Sequence, residues 1–332
     1  MSEARSNATA RLRSSLLYGD EISNLPPVMP LIEGVFDLDN IAMIYGKWGA
    51  GKSLAVLDWI GALATGNNWC GRRVKQCKVL YVMGEGASGT APRYEAWKRY
   101  HETEVGSNLI WLPQAPNLTD TDQQGILLDI VKDEQPTFTV LDTLARHLPG
   151  VEENSSPAMS MMVETLDEIR RITGGTALVV HHQGKNDDAG ARGHSSLPGA
   201  MDTMIECRAQ RTDSGHYYQL WVEKQKNRED GHSLGSWRLE RVELDPHPVT
   251  GEPRSSVVPV SASAIHPVAE RIISHLSAFP GVSKRALRAL GDHGTVDREL
   301  AKLLQEGVVR AEDLGTRHSF HLVDNSPPGG RA

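Results

Sequence analysis

Residues 41–53 read Ile41-Ala42-Met43-Ile44-Tyr45-Gly46-Lys47-Trp48-Gly49-Ala50-Gly51-Lys52-Ser53. The opening apolar run, closed by a glycine, is the pattern of a buried strand. Gly46 to Ser53 then fits G-x-x-x-x-G-K-S, and Leu54, Leu57, Ile60 and Leu63 recur at helical spacing up to Thr65-Gly66. A strand, a glycine-rich turn and a helix are the context a phosphate-binding loop requires. Glycines let backbone N–H groups turn toward phosphate oxygens, and the helix start adds the positive end of its dipole. Gly46, Lys47, Trp48, Gly49, Ala50, Gly51, Lys52, Ser53 and Leu54 are therefore the candidate nucleotide-binding residues. Lys52 is expected to reach the terminal phosphates of ATP, and the Ser53 hydroxyl to ligate Mg²⁺.

Working outward, further short apolar runs at Val79–Met83, Leu109–Leu112, Phe138–Leu141 and Ala177–Val180 predict strands. Helical patterns lie between them, over 90–104, Gln124–Lys132 and from the Ser156-Pro157 start signal to Gly174-Gly175. Apolar runs alternating with helices imply a mostly parallel sheet covered on both faces. Thr203–Cys207, Tyr217–Val222 and Ser236–Val242 predict strands without helices between them, hence an antiparallel extension. Residues 183–200, rich in Gly, Asp and Ser, read as a loop.

In parallel sheets the carboxyl ends of the strands converge on the ligand crevice. Asp142, closing Phe138–Leu141, is then the expected carboxylate on the metal with Ser53. Thr143 follows it where many such ATPases have a glutamate. A general base must come from elsewhere, and Glu85, at the tip of Val79–Met83, is the candidate. His181-His182 closes another strand; a metal site there would need further ligands, so the pair is not read as zinc-binding.

The chain has 332 residues, room for about two domains. Its net charge of −7 excludes a protein that coats nucleic acid by bulk positive charge, but not a local basic groove. Three cysteines without CxxC spacing argue against a disulfide framework or zinc ribbon and fit a reducing cytosol. Apolar runs are too short for a membrane span, and Met1 to Arg13 lacks a secretory pattern, so no membrane association and a cytoplasmic location are expected. Five segments are expected: a loose arm at 1–24, an ATPase domain at 25–244, a Pro/Ser/Gly-rich linker at 245–264, a compact domain at 265–324 and a tail at 325–332.

Taken together, Pro26–Gly34, Gly46–Ser53, Val79–Gly86, Thr139–Arg146, Val179–Gly184 and Gly190–Thr203 resemble the RepA-type branch of ring-forming replicative helicase ATPases, which have a RecA-like fold and are common in phage replication modules. The resemblance spans roughly residues 25–240 and rests on Glu85, His181-His182-Gln183 and Arg192-Gly193-His194-Ser195-Ser196 beside the phosphate loop. It implies that Glu85 polarises the attacking water. It implies that the His181–Gln183 cluster, with His182 as the chosen residue, senses the γ-phosphate and relays its state to loop 184–200. That loop would touch single-stranded DNA through Lys185, Arg192 and His194. It implies further that a Lys-x-Arg pair reaches a neighbouring subunit's γ-phosphate. Lys224-x-Lys226 and Lys226-x-Arg228 both offer the register. A homo-oligomeric ring, as a hexamer, and contact with a primase or other replication proteins follow from the same likeness, in a bacterial or phage-infected cytosol.

The C-terminal segment predicts three helices, at His266–Ala278, Lys284–Leu290 after a Ser283 cap, and from a Thr295 cap to Gly307, followed by a hairpin. This resembles the winged helix-turn-helix domains attached to some phage and actinobacterial replication ATPases. Arg298, Lys302 and Arg317 would then face DNA, although the module as a whole is neutral, so protein docking stands beside DNA contact. Two alternatives to a translocating helicase remain: a RecA-like recombinase or loader that binds single-stranded DNA without processive unwinding, and a DNA-binding regulator switched by nucleotide.

Overall fold

The computed structural model describes residues 9–10, 13–84, 87–151, 156–182, 196–212, 215–262, 267–305, 308–313 and 318–323. It divides into two compact units, residues 1–234 with 238–260, and 235–237 with 261–332.

In the first unit a small hairpin, β1 (Pro30–Ile32) with β2 (Phe36–Asp37), leads into β3 (Asn40–Gly46), which is buried along its whole length. Helix α1 (Lys52–Thr65) follows, then β4 (Val79–Met83), α2 (Ala87–Tyr100), β5 (Leu109–Leu112), α3 (Thr121–Glu134), β6 (Phe138–Asp142), the short α4 (Leu144–His147), α5 (Ser156–Thr173) and β7 (Thr176–His182). A short α6 (Ser196–Ala200) precedes β8 (Thr203–Thr212), β9 (Gly215–Gln225), β10 (His232–Leu244) and β11 (Arg254–Ala262). Among the described residues these strands form one nine-stranded sheet in the order β11-β10-β9-β8-β3-β7-β6-β4-β5. The pairs from β5 to β8 are all parallel, and the sheet turns antiparallel where β9 pairs β8. Thus β8, expected in the antiparallel extension, is the last member of the parallel set.

The two-residue side-chain period of a strand splits β3 between two layers. Ile41, Met43 and Tyr45 join Leu127 and Val131 of α3 and Met162, Leu166 and Ile169 of α5 in one buried cluster. Helix α1 is buried on nearly all sides, with only Ser53 and Thr65 partly exposed. Asp120 caps α3 by accepting from the Asp122 and Gln123 backbone N–H groups, a start signal the apolar pattern alone did not give. This is the RecA-like P-loop architecture, an α/β fold with a mostly parallel sheet between helices.

The expected linker at 245–264 is corrected. Residues 254–262 form β11 at the edge of the large sheet, with Val258 fully buried. Pro259 and the serines gave the stretch a linker's composition, but an edge strand tolerates proline because one side of its backbone needs no partner. The boundary moves to 260/261. Two further spans change: Ser196–Ala200 is helical, and β9 runs on to Gln225, so Lys224 lies within a strand.

The second unit contains α7 (Pro267–Ala278), β12 (Val282–Ser283), α8 (Lys284–Arg288), α9 (His293–Gln305), β13 (Val309–Asp313) and β14 (His318–Leu322). The strands pair in the order β12-β14-β13, one more strand than the expected hairpin. Ile272, Leu276, Leu287, Val296, Leu300 and Phe320 make its core. Ser283 caps α8 as expected. Asp292, in place of Thr295, caps α9: its carboxylate accepts from the Thr295 N–H at 3.0 Å, which lowers its pKa.

Candidate active site

Gly46, at the end of β3, takes φ +156° against β8; a Cβ there would lie 2.2 Å from the Cys207 carbonyl oxygen. Gly51 caps α1 at φ +102°, and a Cβ there would meet the Tyr218 ring at 2.8 Å. The phosphate loop is therefore seated on β8 and β9 and can carry no side chain at these two points. Burial, reinforced by the charge of Asp58, pushes the Tyr218 phenol well above its ordinary pKa, so a neutral ring supports the loop.

Lys52 is 5% exposed, and its ammonium donates to the carbonyls of Gly46 and Lys47, each at 2.9 Å. It also lies 3.2 Å from Nδ1 of His182, at the end of β7. An ammonium only donates, so Nδ1 of His182 is the accepting nitrogen. A terminal phosphate arriving here would meet both groups at once. His181, the other member of the pair, is 1% exposed and belongs to the interior.

Strand β7 lies between β3 and β6, which sets Asp142 beside the loop. Asp142 Oδ2 accepts from Ser53 Oγ at 3.2 Å and from the phenol of Tyr81 on β4 in a short hydrogen bond. A hydroxyl and a carboxylate facing a phosphate site fit Mg²⁺, which takes one or two protein oxygens and fills its octahedron with waters and phosphates. Among the described residues no group of three or more His, Cys, Asp or Glu could hold a metal on its own.

Trp48 to Leu54 form one wall of a cavity of about 270 Å³; Arg93 of α2, Thr143, His182 and Leu239 of β10 complete it. Arg93, Leu239 and the Tyr81 contact were not anticipated. Nothing in the spacing marks Arg93 or Leu239, because they reach the loop only through the packing of α2 and β10. Trp48 is 88% exposed at the cavity mouth.

A family model described as AAA domain matches residues 6–188. The chain belongs to that family. Among solved structures it is similar to a KaiC-like protein, PH0186, from the hyperthermophilic archaeon Pyrococcus horikoshii OT3, at 16% identity and a TM-score of 0.46, over 70% of this chain and 100% of that one. No curated protein matches. The AAA domain is here a RecA-like P-loop ATPase, and no helix among its described residues is long and apolar enough to cross a membrane.

The AAA domain brings Lys52, Ser53, Asp142 and His182 together. Glu85, Lys185, Arg192, His194 and Arg317 lie outside the described residues. The cationic run lies far from its own phosphate loop. Gln225 pairs with Thr203, and Thr203 with Ala42, whereas the loop leaves the other end of β3. Each cation there is anchored. Lys224 Nζ donates to the carbonyls of Pro198 and Gly199 at 3.1 and 3.2 Å, and Lys226 pairs with Asp202 at 2.9 Å. Arg228 pairs closely with Asp37, whose side chain is fully buried; burial raises the Asp37 pKa and Arg228 opposes that rise. In the second unit Arg298 pairs with the adjacent Glu299 at 3.2 Å and Lys302 is exposed. Asp297 takes both Arg288 and Lys284, and the hydrogen bond from Arg288 above all, with that from Lys284, holds its carboxyl down at about 2.

Proposed function

We propose that the chain is a DNA-dependent ATPase, a ring-forming replicative helicase that couples ATP hydrolysis to movement on single-stranded DNA. Support comes from the position of Lys224, Lys226 and Arg228. They sit at the end of the sheet away from their own phosphate loop, so they can serve phosphoryl transfer only on a second copy. A positive charge delivered to the γ-phosphate oxygens is what that transition state requires. Lys226 is the best placed of the three: its side chain is 68% exposed, against 31% for Arg228. Arg228 is committed to the buried Asp37, which favours the Lys224-x-Lys226 register.

In this reading ATP and Mg²⁺ occupy the cavity, with Lys52 on the terminal phosphates and Ser53 and Asp142 toward the metal. Glu85 orients the attacking water, and His182 reports the γ-phosphate to loop 184–200. Lys185, Arg192 and His194 on that loop meet single-stranded DNA, and six copies form the ring. The C-terminal unit, as a winged-helix-like domain, docks on a replication protein such as a primase. The ion pairs of Lys284, Arg288 and Arg298 leave it poorly charged for duplex DNA, where readers carry a basic face.

ATP hydrolysis with and without single-stranded DNA, paired with a strand-displacement assay, tests this. Stimulation together with displacement is expected. Stimulation without displacement would instead favour a recombinase or loader, and DNA binding that depends on nucleotide without turnover would favour a switched regulator.

A further inference from the structure

Asp58 lies in the middle of α1, 5% exposed, and each of its carboxylate oxygens accepts an indole N–H. Oδ2 takes Trp69 Nε1 at 2.7 Å, from the segment after α1, and Oδ1 takes Trp97 Nε1 at 2.8 Å, from α2. His101 Nε2 stands 3.6 Å from Oδ1, with its ring 4.5 Å from that of Trp97. The Trp97 ring presses on α1 at Gly61, where a Cβ would come within 2.3 Å of it. A mid-helix glycine costs about 1 kcal/mol relative to alanine, so this close approach is itself a structural commitment.

Two neutral donors offset only part of the cost of removing a carboxylate from water. For stability alone, well-packed apolar groups would serve as well or better. A buried charge read by two indoles does something apolar packing cannot: it admits one relative placement of α1 and α2. That placement matters at the cavity. Leu54, which lines the cavity, is one helical turn before Asp58 on α1, and Arg93, which also lines it, is one turn before Trp97 on α2.

We propose that Asp58 is a positioning residue for ATP hydrolysis, clasping Trp69 and Trp97 so that α2 holds Arg93 in register with the phosphate loop. This rests on the ATPase reading of the site. Phosphate binding by the loop itself does not need the clasp; alignment for the chemical step does. Small misplacements of reacting groups cost about 10²-fold in rate.

The test compares wild-type chain with Asp58→Asn, which turns one acceptor into an amide donor facing an indole N–H, and with Trp97→Phe, which removes a donor and keeps a ring. Expected in both are a kcat lower by about tenfold or more, an affinity for a fluorescent ATP analogue within about threefold of wild type, and faster hydrogen exchange over 87–100 with 52–65 unchanged. Any other pattern in a folded variant overturns the inference, including wild-type kcat or a parallel loss of kcat and affinity. If Asp58→Asn does not fold, Trp97→Phe decides by the same criteria, and failure of both to fold overturns it in favour of a purely structural role. Wild-type chain without turnover would sink the ATPase reading and the inference with it. Turnover that survives both substitutions would sink the inference alone.

Discussion

The ammonium of Lys52 and Nδ1 of His182 stand 3.2 Å apart, joining the first turn of α1 to the end of β7. Whatever draws Lys52 forward also breaks this contact, so under the proposed sensor role occupancy by a γ-phosphate would be registered on β7 as well as on the loop. Lys52→Ala is expected to weaken ATP binding by about tenfold or more, roughly 1.4 kcal/mol. His182→Ala should bind ATP nearly as tightly as wild type yet lose stimulation by single-stranded DNA. Equilibrium binding and DNA-titrated ATPase assays separate the two, and a fully stimulated His182→Ala chain would end the sensor role.

Glu85→Gln is expected to retain ATP binding and lose turnover by about 10²- to 10⁴-fold, the usual contribution of a general base. Single-turnover hydrolysis measures this directly. A variant that hydrolyses at the wild-type rate would move the base to another residue.

Lys226→Ala should abolish DNA-stimulated hydrolysis but be complemented in mixtures with Glu85→Gln chains, since each supplies what the other lacks across an interface. Absence of any recovery over a range of mixing ratios would contradict action in trans. Arg228→Ala is the poorer probe. It strands the buried Asp37 carboxylate, from which the partly exposed Arg228 guanidinium is removed, and should show first as lowered thermal stability.

Truncation separates the two domain boundaries. A chain ending at residue 260 is expected to stay folded with basal ATPase intact. One ending at 244, the limit read from composition, lacks β11 and exposes the edge of β10. That second chain should aggregate or melt earlier, as unpaired edges do. Equal melting temperatures would contradict a structural role for β11.

His147 gives a pH dependence with a definite sign. It is fully buried, its Nδ1 is 3.1 Å from the Pro116 carbonyl oxygen, and burial lowers its pKa from 6.5 to about 4. The folded chain keeps the ring neutral, whereas the unfolded chain protonates it below 6.5. Its contribution is thus complete above pH 6.5 and falls as pH drops toward 4, by about 1.4 kcal/mol per pH unit and about 3 kcal/mol in all. Urea midpoints across that range should fall in wild type and flatten in His147→Phe.

The phosphate loop, the strands that carry it and the placement of Lys52, Ser53 and Asp142 at it were legible because each depends on contiguous spacing: a run, a turn, a helix start. Their contacts are local or lie at the ends of buried strands, where the crevice must be. Arg93, Leu239, Tyr81 and Asp58 were not legible. Each acts through a neighbour far along the chain, and nothing in its own segment distinguishes it from an ordinary helix or strand residue. Edge strand β11 was lost for the opposite reason, since Pro259 and the serines carry a strong local signal that tertiary pairing overrides.

Strand β9 runs from Tyr218, beneath Gly51, to Lys224 beside the cationic turn, six residue steps or about 20 Å. It pairs with β8 on both sides of a single bulge at Glu223, between the Ile205–Val222 and Met204–Lys224 pairs. On the ring reading proposed above, the bed of one phosphate loop and the cations offered to the next copy would be two points on one strand, with the bulge at Glu223 just before the cations. In a ring built this way no flexible relay is needed for one site to feel its neighbour: a tilt of the loop at one end becomes a displacement of Lys226 at the other, and firing order around the ring would follow from lever mechanics.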